Sequence, residues 1–200
     1  MITEKETIKC EAIFNEDRTH RLFWKQVWNK DKPLACVVMI NPCQANTVVT
    51  DTTTFLVVNN IYRLGDYGGV SIVNLFSLLT PKLRFGTPAI VNDEENDSYI
   101  KKAAEEASVV ILAWGKSSDT NLRIAERAGQ VVELLATQKE KLRIISDGKR
   151  VALHPLTPSV RAKWCLEDAK TWLDALQGKE AKKEGKKEKP KAEKKAKAAN

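Results

Sequence analysis

Short apolar runs rich in β-formers alternate with amphipathic helical stripes, and this alternation constrains the fold more than any other feature of the chain. Runs of this kind, bounded by turn residues, are typical of strands covered on both faces. Because strand–helix–strand crossovers are right-handed and join parallel strands, the pattern predicts an α/β fold. We expect three layers, with helices on both faces of a parallel sheet of about four strands. The strands are predicted at 35–40, 69–76, 108–114 and 141–146, and the helices between them at 52–64, 93–107 and 119–137.

Both ends of this pattern carry further elements. Residues 8–14 and 20–28 read as strands on either side of the turn 15–18, which predicts an N-terminal β-hairpin. A last helix is predicted from about Pro158 to Leu176, since apolar residues recur there at helical spacing.

The positive charge of the chain is concentrated at its C-terminus. The net charge is +7, and residues 178–200 hold ten Lys and four Glu, which is +6, so residues 1–177 carry only +1. This segment has no large apolar residue to bury, which predicts one α/β domain over 1–177 and a disordered Lys-rich tail over 178–200. Such a tail is either a solvated extension or a polycation that binds phosphates by counterion release.

Composition and spacing exclude several classes of protein. Apolar runs are far shorter than the roughly 20 residues needed to span a bilayer, so no membrane partner is expected. The polar N-terminus has no signal-peptide core, which indicates the cytoplasm, or the host cytoplasm for a viral protein. The four cysteines (10, 36, 43 and 165) and two histidines lack zinc-site spacing, so we expect free thiols and no metal. Without a phosphate-loop motif, no nucleotide cofactor is expected.

Polar residues follow the predicted strands where a ligand site is expected. In parallel α/β sheets, ligands bind beyond the carboxyl ends of the strands. Asn41, Asn74 and Trp114 stand at or just after three of these strand ends, and His154 follows the fourth. The sequence therefore predicts one cleft, with Asn41 and His154 on its wall and Asn74 on its floor.

Several segments resemble the domain of unknown function 1643, a family of bacterial and phage proteins. The resemblance spans about 18–156 and differs from the usual family pattern at Cys43 and around Thr52. It rests on R-L-x-W-x-x-x-W (21–28), VMINPCQA (38–45), YGGVSIVNLFSL (67–78), NDEENDSYI (92–100), AWGK (113–116) and HPL (154–156).

The order of motifs is also similar to the mismatch-specific branch of the uracil-DNA glycosylase superfamily. The matching segments are MINPC (39–43), IVNLF (72–76), LAWG (112–115) and HPLTPS (154–159). The resemblance implies a uracil-DNA glycosylase-like fold and a hydrolase that excises a modified or mismatched base from DNA. It implies catalytic roles for Asn41 and His154 and a base-reading role for Asn74, and it makes DNA the expected partner.

The chemistry of base excision suits these residue types. The base leaves with developing negative charge, which a neutral histidine can stabilise by donating a hydrogen bond. Asp51 is the nearest carboxylate to act as general base, although it also suits the N-cap of the following helix. Asn41 is either a site residue or a turn cap, and Cys43 lacks the signals of a nucleophile. The further substrate-binding candidates are Pro42, Trp114 and Leu156, the last as a wedge in the minor groove.

Two other functions remain open from the sequence. The same fold could serve as a catalytically inactive module that binds nucleic acid or protein. It could also act on free nucleosides or nucleotides. Arg21, Lys116, Arg150, Arg161 and Lys163 are candidates for a basic patch around the cleft.

Overall fold

The computed structural model describes residues 1–81, 83–84 and 94–175. Its first compact unit, Met1–Asp168, is built on one mixed sheet of seven strands in the order β1-β2-β4-β3-β5-β6-β7. The strands are β1 (Lys9–Phe14), β2 (Arg21–Val27), β3 (Leu34–Met39), β4 (Gly69–Asn74), β5 (Val109–Leu112), β6 (Leu142–Ser146) and β7 (Cys165–Asp168).

Four helices connect the central strands. They are α1 (Thr52–Leu64), α2 (Glu94–Glu106), α3 (Ser117–Thr120) and α4 (Leu122–Leu134). Asp51 caps the N-terminus of α1, and Gly65 ends it in the left-handed conformation at φ 80°. Asn121 interrupts the predicted helix over 119–137, because its extended backbone ends α3 while its side chain caps α4.

The parallel centre of the sheet agrees with the sequence prediction. Strands β4, β3, β5 and β6 pair in parallel, and β1 and β2 form the predicted antiparallel hairpin. In the strand order, the chain moves from β3 toward the β1 edge to reach β4, and then back toward the β7 edge to reach β5. Right-handed crossovers therefore place α1 on one face and α2 and α4 on the opposite face. Residues of α1 accordingly pack with β3 and β4 side chains in one core cluster, which includes Ala35, Val37, Val57, Ile61 and Ile72.

Two parts of the fold prediction were wrong. The sheet has seven strands rather than about four, because β2 of the hairpin pairs with β4 and β7 adds an antiparallel strand at the opposite edge. The helix predicted from about Pro158 to Leu176 is wrong over its first part, which is a 3-10 turn (Pro158–Val160) followed by β7, and of its described residues only 170–175 are helical. Val160 and Trp164 do lie in the core, and their spacing in the sequence resembles that of the buried face of a helix. The edge strand β7 is largely exposed and polar, so it lacks the alternation that marks a strand.

The second compact unit begins at Ala169. Residues 170–175 form a helical segment, in which Leu173 N donates to Ala169 O at 2.9 Å. The Lys-rich segment 178–200 lies outside the described residues.

Candidate functional site

A cavity of about 240 Å³ lies at the carboxyl end of β3, where the sequence predicted a cleft. The last residue of β3 and the two that follow it form one wall. The N-terminal cap of α1 and the loop after β6 form the others. The lining residues are Arg21, Met39, Ile40, Asn41, Cys43, Asp51, Thr53, Thr80, Pro81, His154 and Leu156.

His154 enters this cavity from the loop that follows β6. Leu153 N donates to Ile145 O at 3.0 Å, which fixes the loop against the end of β6. Leu156 N donates to Nδ1 of His154 at 3.1 Å. Nδ1 is therefore the acceptor, and the proton of the neutral ring is on Nε2. Burial lowers the pKa of His154 below its usual 6.5, so the ring is neutral at pH 7. His154 thus offers one N–H donor without carrying a positive charge.

The backbone at Gly115 lies close to His154 because Gly115 has no side chain. Its φ is +67°, and a Cβ built on it would lie 2.8 Å from the Cβ of His154. Only glycine accepts this backbone conformation and this spacing together. Gly115 therefore packs closely against the Cβ and backbone of His154, a contact that was not predicted from the sequence.

Replacing Gly115 by alanine is expected to destabilise the fold by about 1–2 kcal/mol, the cost of a left-handed non-glycine residue. The same change should displace His154 and reduce any activity that depends on the ring. Gly129→Ala in α4 is the control, since nothing lies within 4 Å of its Cβ position. The control should stabilise the protein by roughly 0.5–1 kcal/mol. Urea unfolding measures both, and equal stabilities for the two variants would contradict this role of Gly115.

The buried imidazole also predicts a pH dependence of stability. In the unfolded chain His154 titrates near about 6.5, whereas its pKa in the folded protein is lower. Between these two pKa values the unfolded state binds more protons, so stability falls as the pH drops below about 6.5. Replacing His154 by glutamine removes this contribution. Unfolding free energies at several pH values from 7 to 5 should therefore decline less steeply for His154→Gln, and parallel curves would count against a buried neutral ring.

Asn41 presents an acceptor to the cavity. Its Nδ2 donates to Thr80 O at 2.6 Å and to Pro42 O at 3.1 Å, which uses both amide hydrogens. The amide oxygen Oδ1 is then the group left to bind a ligand. Asn41 therefore fixes the turn after β3 and also lines the cavity.

Asp51 likewise combines a structural contact with a place in the cavity. Its Oδ1 accepts a hydrogen bond from Thr54 N at 2.8 Å, which caps α1, and its Oδ2 accepts one from Ala45 N at 3.3 Å. Each carboxylate oxygen has a second lone pair that can hold a water or a ligand. The N-cap interpretation is confirmed, and the carboxylate also lines the cavity.

Arg21 is a buried cation in the same cavity. A β-bulge between β1 and β2 pairs Phe14 with Arg21 after Ile13 pairs with Phe23. Arg21 Nη1 donates to Ala45 O at 2.9 Å, and Trp24 Nε1 donates to the next carbonyl, Asn46 O, at 2.8 Å, so both side chains reach the loop after β3. The Nε of Arg21 has no hydrogen-bond partner among the described residues. Burial lowers its pKa to about 10, and the nearby carboxylate of Asp51 opposes that shift, so the guanidinium stays charged at pH 7.

From the sequence, Arg21 was only a candidate for a basic patch around the cleft. The sequence Arg-Leu-Phe-Trp places an arginine at the start of an apolar strand, and this pattern could have indicated that Arg21 is buried. The bulge that turns it toward the cavity leaves no comparable mark in the sequence.

Three of the predicted substrate-binding residues are not on the wall of this cavity. Pro42, Asn74 and Trp114 are buried and are not among its lining residues. Asn74 pairs in register with Met39, which does line the cavity, and its Nδ2 has no partner within the described residues. Leu156 lines the cavity and is 37% exposed. The structure thus brings together Asn41, Asp51, His154 and Leu156, and adds Arg21.

Predictions from the sequence also concerned cysteines, metal ions and membrane spans. The four cysteines are free thiols, as expected. Within residues 1–81, 83–84 and 94–175, no group of three or more His, Cys, Asp or Glu side chains is arranged to hold a metal ion. In the same part of the chain, no helix is long and apolar enough to cross a bilayer.

Comparison with known proteins identifies a family and no function. No curated protein and no solved structure matches the chain. A family model described as "Protein of unknown function (DUF1643)" matches residues 21–156, which include every strand from β2 to β6 and the whole cavity wall. The chain therefore belongs to the DUF1643 family.

Proposed function

We propose that the protein recognises a modified or mismatched base in DNA and hydrolyses its N-glycosidic bond in the cavity beside β3. The observation that carries the proposal is the state of His154, a neutral ring whose Nε2–H is available to a ligand because Leu156 N occupies Nδ1. A fixed neutral donor in a partly buried site stabilises an anionic leaving group without needing to lose a proton first.

The reaction assigns a role to four polar side chains of the cavity. The bond between C1′ of the sugar and the base nitrogen breaks, and the bonding electrons leave with the base. His154 Nε2–H donates to an oxygen of the departing base. Asn41 Oδ1 and the carboxylate of Asp51 hold a water, whose oxygen bonds to C1′ while its proton passes to Asp51. The Arg21 guanidinium supplies a second donor for a base oxygen.

The size of the cavity favours a small ligand. Pockets for drug-sized molecules are about 300–1,000 Å³, and this cavity is about 240 Å³. A single heterocyclic base is a ligand of suitable size and polarity, since it offers acceptors to His154 and Arg21. A base that is already mismatched or modified costs less to unstack and flip into such a pocket.

The Lys-rich segment is expected to supply most of the non-specific affinity for DNA. Ten Lys against four Glu in 178–200 give a net charge of +6, whereas the rest of the chain carries only +1. Binding should weaken steeply with salt, and the slope of log K against log salt should shrink when 178–200 are removed. Titration of a labelled duplex at several salt concentrations measures both slopes, and equal slopes would place the phosphate contacts elsewhere.

The activity itself is tested by a panel of substrates. Duplex and single-stranded oligonucleotides would each carry uracil, mismatched thymine, hypoxanthine or a hydroxymethylated pyrimidine. Base release leaves an abasic site that alkali cleaves, so a strand break after alkali is the expected result for at least one substrate. Binding without release by folded protein would favour an inactive binding module, and release from free nucleosides alone would favour a nucleoside hydrolase.

A further inference from the structure

A second cavity of about 270 Å³ adjoins the first and has a different chemical character. The two cavities share Cys43, Thr80 and Pro81, which form the wall between them. The remaining lining residues of the second cavity are Phe14, Arg18, Gln44, Asn46 and Leu79.

The turn of the hairpin β1–β2 holds Arg18 at this cavity. Arg18 N donates to Asn15 O at 3.1 Å, and the backbone of Arg18 has a φ of 55°. The guanidinium lies over the ring of Phe14, with its carbon 4.4 Å from the ring centre. This cation–π contact restrains a side chain that is otherwise exposed, and it leaves the outer N–H groups free to donate.

The charges of the two cavities differ. The first holds the Arg21 cation, the Asp51 carboxylate and a neutral His154, so its charges balance. The second is lined by one cation and no acidic side chain, and Arg18 makes no ion pair with a carboxylate of the described residues. A guanidinium with free donors binds phosphate oxygens well, and the amides of Gln44 and Asn46 add polar groups beside it.

Hydrogen bonds hold the segment 79–80, which lines both cavities, on either side. Asn41 Nδ2 donates to Thr80 O at 2.6 Å on the side of the first cavity, and Leu79 N donates to Thr19 O at 2.8 Å next to Arg18. The distance between the two compartments is thus set by backbone and amide contacts. A ligand that fills both cavities is expected to place an uncharged group in the first and an anionic group beside Arg18 in the second.

We propose that this second cavity is a phosphate subsite, in which Arg18 binds the phosphate ester of the nucleotide whose base enters the first cavity. The inference rests on the proposed function, since it takes a nucleobase as the occupant of the first cavity. The phosphate belongs to either a DNA strand or a free nucleotide, and the two share the same chemistry at Arg18.

The test compares ligands with and without phosphate on the full-length protein. Calorimetry would measure the dissociation constants of 2′-deoxyuridine, its 5′- and 3′-monophosphates, and a trinucleotide with deoxyuridine at its centre. At least one monophosphate should bind about five- to tenfold more tightly than the nucleoside, the gain expected for one charge-assisted contact at a partly exposed site. Tighter binding of the trinucleotide would identify a strand as the source of the phosphate, and equal binding would identify a free nucleotide.

Variants separate Arg18 from the other cations. Arg18→Ala should lose most of the preference for nucleotide over nucleoside, and Arg18→Lys should restore part of it. Arg123→Ala is the matched control, because Arg123 is an exposed arginine of α4 that lines neither cavity. All variants keep the Lys-rich segment, so its contribution cancels in the comparison.

The inference is overturned if the wild-type protein binds the nucleoside and both monophosphates equally, if it binds none of them, or if Arg18→Ala weakens nucleoside and nucleotide alike. Base release is measured separately on the same proteins. Phosphate-dependent binding without any base release would contradict the proposed hydrolysis while leaving the phosphate subsite in place.

Discussion

His154→Ala is expected to reduce base release by about 10²–10³-fold, the loss typical of removing one donor that stabilises an oxyanion. The ring is neutral, its Nε2–H is the only proton it can donate, and Leu156 N holds the other nitrogen. Single-turnover rates on the best substrate of the panel measure the effect, because they separate the chemical step from product release.

The other histidine provides the control for this prediction. His20 is half-buried, its Nδ1 lies 2.8 Å from Ser77 Oγ, and it lines neither cavity. His20→Ala should leave the single-turnover rate within about twofold of the wild type, as expected for a residue without a transition-state contact. If His154→Ala, shown to be folded by its unfolding curve, releases base as fast as His20→Ala does, the proposed role of the ring is wrong.

Asp51→Asn is expected to abolish most activity with little change in stability. Asparagine caps a helix about as well as aspartate, so the bond to Thr54 N is kept and the unfolding free energy should change by less than about 0.5 kcal/mol. Asparagine cannot accept a proton, and the loss of a general base costs roughly 10²–10⁴ in rate. Rate and stability are measured on the same preparation.

Asn121 is the control for Asp51, because its replacement removes a helix cap without touching the proposed catalytic groups. Asn121 caps α4 through Ile124 N and does not line the cavity. Asn121→Ala should cost about 1 kcal/mol of stability and leave base release unchanged. Asp51→Ala should cost a similar amount of stability and also lose most of the activity. Full activity in Asp51→Asn would show that Asp51 acts only as a cap.

The centre of the fold could be predicted from the sequence because each central strand is a local signal. Residues 35–40, 69–76, 108–114 and 141–146 are apolar runs between turn residues, and all four are parallel strands. The edges of the sheet could not be predicted in the same way. The partner of β2 is β4, more than forty residues away, and β7 is an exposed polar strand without alternation.

The candidate site was predicted in part for a related reason. Asn41 and His154 follow strand ends, so the topology brings them to one edge of the sheet. Asn74 also ends a strand, but its side chain is buried beside Met39 instead of lining the cavity. The place of Arg21 depends on a β-bulge, and Gly115 is needed because a Cβ there would lie 2.8 Å from the Cβ of His154. Both features arise only from tertiary packing.

The mass of the reacted DNA strand tests the central claim most directly. Hydrolysis of an N-glycosidic bond removes one base and adds one water, and it leaves every phosphate linkage intact. We expect wild-type protein to give a strand of that mass, together with the free base, and His154→Ala to give it far more slowly. Strands of unchanged mass for every base tested, or fragments cut at a phosphate, would contradict the proposed reaction.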